Sequence, residues 1–426
     1  MVLTRGDAEV AQWPLVGRIR PDLAVVDEVA RLQLMARRQG CSIRLRGACR
    51  ELVELLDLFG LSEIVTNVDH HRPAGSPQMA SRSVSREVSC PTIRSPETCV
   101  RAKMGSPMTL PADADDIPGR IRPQRQITGM SAVLLPYTPE RTIDWSAFEA
   151  HIGRTASAGL TPAVNMDTGY VQLLDERTKR RVLDLTAEVT SRDFVAGAFV
   201  DDRSGSAFDL GAYASAAAAV AERGGTPVIF PSHGLNELGE DDWVDALASI
   251  GRNLNRFIGF ELGSMFVPCG RIFSLRAFRA MMEIPQCIGA KHSSLSRSAE
   301  WDRLSARDEV RPGFKVFTGN DLAIDMVMYG SDYLLGLSTF APEAFAARDR
   351  LWSAGDPAFF ELNDLLQYLG QFAFRHPVPG YRHDAAMFLE MRGWATSDVT
   401  PPGVPRRPES DRAVLADIAQ RLPPSR

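Results

Sequence analysis

A lysine at the end of an apolar run is the feature of this sequence best suited to chemistry. The run Cys287-Ile288-Gly289-Ala290 is typical of a short buried strand, Lys291 ends it, and His292-Ser293-Ser294 begins a polar loop. Apolar surroundings disfavour the ammonium form of a lysine and lower its pKa. A neutral amine can then attack a carbonyl carbon and form a Schiff base. A surface lysine just past a strand end fits the run equally well, so the surrounding elements must decide.

The composition narrows the possible function classes. The chain has 426 residues, of which 44% are hydrophobic and 24% are charged, as in soluble globular proteins. This length predicts at least two domains. The formal net charge of -5 argues against nucleic-acid binding. No apolar run is long enough to cross a bilayer, so no membrane association is expected.

The cysteines and the first residues bear on localisation. The cysteines show no paired close spacing, so they form neither a zinc motif nor a disulfide framework. They are Cys41, Cys49, Cys90, Cys99, Cys269 and Cys287. The segment Met1 to Asp7 lacks the apolar core of a signal peptide. A reducing cytoplasm fits these features best.

Short apolar segments alternate with helical patterns over residues 126–396. The predicted strands are Met130–Pro136, Pro162–Asn165, Phe194–Val200, Pro227–Phe230, Phe257–Leu262, Cys287–Lys291, Lys315–Thr318 and Tyr333–Ser338. The helical patterns between them include Trp145–Ala158, Glu176–Thr190, Gly211–Arg223, Asp241–Asn253, Leu275–Met282 and Leu322–Tyr329. Eight βα units in about 270 residues predict an α/β fold, the closed (β/α)8 TIM barrel, whose usual size is about 250 residues.

A doubly wound open sheet is the alternative for the same alternation of elements. Such a sheet normally carries a glycine-rich phosphate loop after its first strand. Here Tyr137-Thr138-Pro139-Glu140 follows the first predicted strand, with no glycine. Nucleotide binding at that position is therefore not expected, and the barrel is favoured.

Polar residues stand where the predicted strands end. In chain order they are Asn165 to Gly169, Asp201-Asp202, Pro231 to Gly234, Glu261, Lys291, Gly319-Asn320-Asp321 and Ser338-Thr339. The active site of a (β/α)8 barrel collects at the C-terminal ends of its strands, so these groups should converge on one face. A Schiff-base aldolase needs this arrangement: an amine forms the imine, acid–base groups move protons, and donors hold the substrate.

These residues also carry a resemblance to a known family. Residues 127–394 resemble the dihydrodipicolinate synthase / N-acetylneuraminate lyase family of class I aldolases, which are (β/α)8 barrels. The similar stretches are Met130 to Asp144, Ile288 to Lys291, Gly319 to Gly330, Leu335 to Ser338 with Pro342 beyond, and His376 to Pro379. The second of these matches the strand that bears the family's Schiff-base lysine. The resemblance implies a lyase for a small keto acid or aldehyde, with no cofactor, that forms a homo-oligomer, often a tetramer.

The sequence departs from the family pattern in the loop that binds the substrate carboxylate. The family's Gly-Thr-Thr-Gly-Glu corresponds to Met166-Asp167-Thr168-Gly169-Tyr170. Thr168 keeps the second hydroxyl, whereas Asp167 replaces the first. A carboxylate there repels a substrate carboxylate unless it is protonated or paired. Dihydrodipicolinate synthesis itself is therefore not expected.

The tyrosines of the family's proton relay are also replaced. The first tyrosine position follows the fourth strand, where this sequence has His233 or Ser232. The second lies at the end of the fifth strand, where it has Phe260 or Glu261. Strand alternation lets only one of that second pair face the site. We expect it to be Glu261, because a carboxylate in a mid-barrel strand is costly unless it serves the site. The alternative is a salt bridge to an arginine such as Arg271.

The resulting assignment gives each candidate residue a role. Lys291 is the nucleophile, and Glu261 and His233 move protons. The predicted substrate-binding residues are Asp167, Thr168, Gly169, Asn320 and Ser338. His292 is predicted to pack behind the lysine, since it points the other way on the strand.

Two other interpretations stay open. In one, Asp167, His233 and Glu261 hold a metal ion, although their spacing is not diagnostic. In the other, the barrel is not catalytic and binds a ligand or partner, with the N-terminal segment as an interaction module.

The N-terminal segment, within residues 1–68, has a helix–strand–helix pattern over residues 13–65. Its predicted elements are a helix at Asp22–Arg37, a strand at Ser42–Arg46 and a helix at Arg50–Phe59. The pattern resembles the C-terminal half of a STAS (anti-sigma-antagonist-like) domain, in which Gly-Leu follows the last helix as Gly60-Leu61 does here. We expect only this half, because too little chain precedes it. A generic α/β fragment explains the pattern as well.

Two further regions lack a regular pattern. Residues 69–125 are rich in Ser, Pro, Arg and Thr, bury too little apolar surface to offset ordering entropy, and are predicted to be a flexible linker. Residues 397–426 are predicted to be an irregular tail with a short helix at Ser410–Arg421.

Overall fold

The computed structural model describes residues 117–423, except 192 and 265. Before them it describes residues 2–5, 8–12 and 42–45 and the single positions 29, 33, 52, 53 and 56. The chain divides into two compact units, Met1–Lys103 and Met104–Arg426. Most of the STAS-like segment and residues 69–116 of the predicted linker lie outside the described residues.

The first unit contains a small antiparallel sheet. Its strands are β1 (Val2–Arg5), β2 (Ala8–Gln12) and β3 (Ser42–Arg44), with β1 in the middle. β3 confirms the predicted strand, and its alternation places Ile43 on the buried face. The expectation that too little chain precedes for further strands is wrong, because β1 and β2 pair there. The described positions in the two predicted helices are helical.

The second unit is built on a closed eight-stranded parallel barrel. Its strands are β4 (Gly129–Ala132), β5 (Thr161–Val164), β6 (Val195–Ala198), β7 (Thr226–Ile229), β8 (Phe257–Leu262), β9 (Cys287–Ser293), β10 (Lys315–Thr318) and β11 (Asp332–Leu335). They follow one another around the barrel in chain order, and β11 closes it by pairing with β4. The predicted TIM barrel and its strands are confirmed.

Helices surround the barrel. They are α1 (Trp145–Ala158), α2 (Glu176–Val189), α3 (Leu210–Ala221), α4 (His233–Asn236), α5 (Glu240–Gly251), α6 (Leu275–Met282), α7 (Arg297–Val310), α8 (Pro342–Ala354), α9 (Ala358–Ala373), α10 (Tyr381–Met391) and α11 (Asp411–Arg421). Short 3-10 turns lie at Pro118–Arg120, Asp167–Gly169, Val171–Leu173, Ile324–Tyr329, Leu337–Thr339 and Val378–Gly380. Within the described part of the chain, no helix combines the length and apolarity that crossing a bilayer demands.

Side-chain alternation divides the core into two layers. Ile258, Phe260 and Leu262 of β8 belong to the cluster inside the barrel. Phe257, on the opposite face of the same strand, packs with the surrounding helices. The period of two along a strand therefore decides which side chains reach the interior and the site at its end.

Segments before and after the barrel pack against it. In the last part of the predicted linker, Arg125 pairs with the buried Asp332 at 2.7 Å, and the carbonyl of Arg122 accepts the indole N–H of Trp352 at 3.1 Å. Residues 117–125 therefore belong to the barrel unit rather than to a flexible linker. In the tail, α11 confirms the predicted helix and buries Leu415 and Ile418 in the core.

Candidate active site

A cavity of about 390 Å³ opens at the C-terminal ends of the barrel strands. Its ionisable lining groups are Asp167, Asp201, Asp202, His233, Cys269, Lys291, Asp321, Tyr381 and Arg382. Its apolar lining includes Phe199, Val200, Phe230, Phe260, Leu262, Phe266, Val267 and Phe374. The predicted convergence of polar strand ends is therefore observed, on a wall that is otherwise largely aromatic.

Lys291 lies within β9 and turns its amine into this cavity. Its Nζ stands 4.5 Å from the centre of the Phe260 ring, on the strand alongside. Burial lowers the pKa of Lys291 to about 8, although the nearby carboxyl groups of Asp321 and Asp167 oppose this shift. At pH 7 about one tenth of the amine is therefore neutral, which is the state that attacks carbonyl groups.

Phe260, not Glu261, faces the site, and the expectation from the sequence is wrong on this point. Phe260 stands beside Lys291 in the strand register and lines the cavity. Glu261 stands beside His292, on the face that turns toward the helices, and is fully buried there. The buried charge of Glu261 is compensated, but by residues that lie behind the barrel wall and not by a role in the site.

Glu261 is held by a dense set of donors. Arg303 of α7 donates to both carboxylate oxygens, at 2.6 and 2.8 Å. The backbone N–H of Phe273 donates at 3.0 Å, and His292 Nδ1 lies 2.9 Å from Oε2. Burial by itself raises the pKa of Glu261, but the hydrogen bonds from Arg303 and His292 outweigh it and bring the pKa to about 2. The salt-bridge alternative holds, with Arg303 rather than Arg271 as the partner.

Asp321 is a site residue that the sequence assignment left out. It follows β10, lines the cavity, and accepts the backbone N–H of Leu337 at 2.7 Å. Burial raises the pKa of Asp321 to about 7, against the opposing influence of that hydrogen bond and of Lys291. The group can thus gain or lose a proton near neutral pH, as a general acid or base must. Its position in the predicted strand-end run Gly319-Asn320-Asp321 was the available signal.

Ser293 was also missed, although it lies two residues after Lys291 and so on the same face of β9. Its side chain is buried, lines the cavity, and its hydroxyl has no partner among the described residues. Gly319 makes room for both groups: a Cβ there would lie 2.0 Å from Ser293 Oγ and 2.7 Å from Lys291 Cε. The missing side chain at Gly319 therefore permits the close approach of the lysine and the serine.

Asp167 and Thr168 do line the cavity, and α10 supplies the side chains that bond to them. The Tyr381 hydroxyl lies 2.9 Å from Thr168 Oγ1 and donates to Asp167 Oδ2 at 3.3 Å. Arg382 donates to Asp167 Oδ1 at 3.2 Å and to its backbone carbonyl at 3.1 Å. A tyrosine hydroxyl is thus present after all, supplied by α10, where no strand-end pattern could reveal it.

His233 also lines the cavity, at the start of α4. Its backbone N–H and that of Gly234 donate to the two carboxylate oxygens of Asp202, at 2.8 and 2.7 Å. Its Nδ1 lies 3.2 Å from Glu237 Oε1. The structure therefore brings His233 to the same cavity as Lys291, and Asp202 fixes the turn that carries it.

Three predicted substrate-binding residues do not line the cavity. Gly169 is buried, with a Cβ position only 3.1 Å from the carbonyl oxygen of Val133. Asn320 is buried and its side-chain oxygen accepts the N–H of Leu322 at 3.1 Å. Ser338 is buried and donates to the carbonyl of Leu335 at 2.9 Å. The side chains of Asn320 and Ser338 bond to nearby backbone, and the structure does not place any of the three residues in the cavity wall.

The three residues of the metal hypothesis do not meet. Glu261 lies behind the barrel wall, whereas Asp167 and His233 line the cavity. In the described part of the chain, no group of three His, Cys, Asp or Glu side chains is placed to hold a metal ion.

Fold and site together define a (β/α)8 barrel with a partly neutral lysine amine that turns from its sixth barrel strand into the cavity. This fold is shared with dihydrodipicolinate synthases and a sialic acid aldolase. A prophage protein of the dihydrodipicolinic acid synthase family from E. coli K12, in complex with pyruvate, is 15% identical with a TM-score of 0.59, over 69% of this chain and 98% of that chain.

Two further solved structures show the same likeness. Dihydrodipicolinate synthase from Thermotoga maritima is 14% identical with a TM-score of 0.58, over 70% of this chain and 99% of that chain. A catalytic lysine mutant of sialic acid aldolase from Ruminococcus gnavus is 15% identical with a TM-score of 0.56, over 70% and 95%. No protein-family model and no curated protein sequence matches the chain.

Proposed function

We propose that this protein is a Schiff-base-forming lyase of the class I aldolase type, in which Lys291 attacks the carbonyl group of a small keto acid or aldehyde. The observation that carries the proposal is the amine of Lys291 in the cavity, with its pKa lowered by burial to about 8. The likeness to aldolase barrels supports it, because one of those proteins is described by its catalytic lysine.

The chemistry follows from the neutral amine. The nitrogen lone pair of Lys291 forms a bond to the carbonyl carbon, and the carbonyl oxygen takes up a proton to give a carbinolamine. Loss of that oxygen as water leaves a protonated imine. The positive nitrogen then accepts the electron pair of a neighbouring bond when that bond breaks, and the resulting enamine is protonated again before water releases the product.

Protons must move in each of these steps, and the cavity offers groups to carry them. Asp321 has a pKa of about 7 and influences the titration of Lys291, so it is our first candidate for the acid–base group. The pair Thr168 and Tyr381, 2.9 Å apart, is the candidate for passing a proton between the cavity and Asp167. His233 is retained as a further candidate. Glu261 is withdrawn because it does not reach the cavity.

Reductive trapping tests the proposal directly. The purified protein is incubated with a panel of 2-keto acids and aldehydes, reduced with borohydride, digested, and analysed by mass spectrometry. The chain has four lysines, Lys103, Lys179, Lys291 and Lys315, so the modified residue is readily assigned. We expect an adduct on Lys291 with the mass of the probe, less one water and plus two hydrogens.

Matched variants make this result specific. Lys291→Ala should abolish the adduct, whereas Lys315→Arg should preserve it, because Lys315 begins β10 at the opposite end of the barrel and pairs with Asp332 at 2.9 Å. If no probe modifies Lys291 in the folded protein, the lyase proposal fails. Binding of a probe without any adduct would instead support the non-catalytic barrel.

A further inference from the structure

Arg382 lines the cavity beside Asp167, and its positive charge already has an anionic partner. The side chain of Arg382 is 7% exposed, and its guanidinium pairs with Asp167, whose side chain is 46% exposed and lines the cavity. Arg382 Nη1 also donates to the Asp167 carbonyl, and its Nε donates to the carbonyl of Pro379 at 3.2 Å. The positive charge of Arg382 is therefore compensated within the protein before any substrate enters.

The remaining charges of the cavity are mostly acidic. Besides Asp167, the carboxyl groups of Asp201, Asp202 and Asp321 line it. The other groups able to carry positive charge are Lys291, which must be neutral to react, and His233, which faces Glu237 at 3.2 Å. Until the imine forms, a carboxylate next to the substrate carbonyl would thus lose its hydration without gaining a cationic partner, which is unfavourable.

An aromatic wall leads from the rim of the cavity to the amine. The rings of Phe199 and Phe230 are 5.6 Å apart, and those of Phe230 and Phe260 are 5.1 Å apart, both edge to face. Lys291 Nζ stands 4.5 Å from the last of these rings. Phe266 and Phe374 add further aromatic surface. Such a surface favours contact with the ring of a bound molecule.

We infer that the substrate is an uncharged aromatic aldehyde or ketone, without a carboxylate next to its carbonyl group. The Asp167 carboxylate takes the place on Arg382 that a substrate carboxylate would need, and the ring of the substrate lies along Phe199, Phe230 and Phe260. This inference rests on the proposed function, because it assigns the carbonyl carbon to Lys291. It narrows the substrate class from keto acids and aldehydes in general to uncharged aromatic carbonyl compounds.

Four small probes separate the contributions of ring and charge. Benzaldehyde and phenylglyoxylate differ by a carboxylate in place of a hydrogen, and acetaldehyde and pyruvate differ in the same way without a ring. The rate of borohydride-trapped adduct formation on Lys291 is measured for each probe with the full-length protein. Each rate is divided by the rate for a free lysine amine, which removes the intrinsic reactivity of the probe. We expect benzaldehyde to exceed each of the other three at least tenfold.

Charge variants identify the group responsible. Asp167→Ser frees Arg382, so the normalised rate for phenylglyoxylate should rise at least tenfold relative to the rate for benzaldehyde in the same variant. Asp201→Asn is the matched control: it removes a carboxylate from the same cavity without freeing Arg382, and it should leave the preference for uncharged probes in place. Circular dichroism and thermal unfolding establish that both variants are folded.

The outcomes separate this inference from the proposed function. Efficient trapping of pyruvate or phenylglyoxylate by the unaltered protein, with no advantage for benzaldehyde, would overturn the inference and leave the lyase proposal standing. A folded Asp167→Ser protein with no gain for phenylglyoxylate would also overturn it. No adduct with any of the four probes would refute both.

Discussion

Two pairs of residues on the same two strands have opposite surroundings. Phe260 and Lys291 stand side by side on the inner face of β8 and β9, and Glu261 and His292 stand side by side on the outer face. Each pair contains a group whose charge must be compensated: the amine of the partly buried Lys291 on the inner face and the carboxylate of the fully buried Glu261 on the outer face. The outer carboxylate receives hydrogen bonds from a guanidinium, an imidazole and a backbone N–H.

The inner amine has no hydrogen-bond partner among the described residues, and only the nearby carboxyl groups of Asp321 and Asp167 favour its charged form. Among the residues that the structure describes, the contact found for the Lys291 amine is the face of an aromatic ring. The pKa of Glu261 accordingly falls to about 2 and fixes the charged form, because its hydrogen bonds outweigh its burial. The pKa of Lys291 falls to about 8, because burial prevails, and this favours the neutral form. The satisfied group is structural, and the group left unsatisfied is available for chemistry.

The largest expected effect comes from removing the partner of the outer carboxylate. Arg303→Met leaves Glu261 buried beside an uncharged side chain, so the free energy of unfolding should fall by about 3–5 kcal/mol. Lys291→Met is the matched variant on the inner face, and it should leave that free energy unchanged or raise it, because it removes a poorly solvated amine. Urea unfolding measures both. Equal losses of stability would show that the two faces do not differ as described.

Crowding the inner face should impair chemistry without removing any functional group. Gly319→Ala places a methyl group within 2.7 Å of Lys291 Cε and 2.0 Å of Ser293 Oγ, so one or both side chains must move. Misplacement on this scale costs about a hundredfold in rate, which trapping kinetics on Lys291 would show. Gly313→Ala is the control, because no atom lies near its Cβ position. An unaltered rate for Gly319→Ala would mean that the cavity tolerates the displacement.

The hydroxyl that α10 brings to the inner face should affect turnover more than imine formation. Tyr381→Phe removes the partner of Thr168 at 2.9 Å while keeping the ring. General acid–base groups contribute about 10²–10⁴-fold, so turnover of an accepted substrate should fall within that range while adduct formation on Lys291 persists. Parallel loss of both steps would point to a binding role for Tyr381. Loss of neither would remove it from the mechanism.

The smallest effect concerns the pH dependence of the amine. Imine formation should become faster as the pH rises through about 8, because Lys291 loses its proton there. The Asp321 carboxylate stabilises the ammonium form, so Asp321→Asn should lower the pKa of Lys291 further and move the rate profile to lower pH. Trapping rates measured across this pH range give the midpoint for each protein. A shift to higher pH would contradict the described coupling.

The fold was largely predictable because strands and helices leave local signals. The apolar segments bounded by polar runs located the strands of the barrel, and helices such as α1 and α6 were predicted to the residue. In the structure, capping residues begin both helices: Asp144 accepts from the N–H of Ala147, and Ser274 accepts from that of Ala277. Such signals act over a few residues and are therefore readable in sequence order.

The site was predictable only in part, because many of the contacts that shape it join residues that are far apart in the chain. Glu261 was assigned to the wrong face, since its partner Arg303 lies 42 residues further on. Tyr381 and Arg382 reach the cavity from beyond the last barrel strand, 213 residues after Thr168 in the case of Tyr381. Asn320 and Ser338 lie just beyond the ends of β10 and β11, and their side chains bond to nearby backbone.

By itself, the sequence determined the eight βα units and the lysine on the sixth strand, because both depend on local patterns of polarity, although that strand continues to Ser293 rather than ending at Lys291. Only the tertiary structure decided whether Phe260 or Glu261 of the neighbouring strand faces inward, and which distant residues surround the amine. The physical reason is that a shift of one residue in a strand reverses the face of a side chain. The charge state of Lys291 then depends on packing between segments that are far apart in the chain.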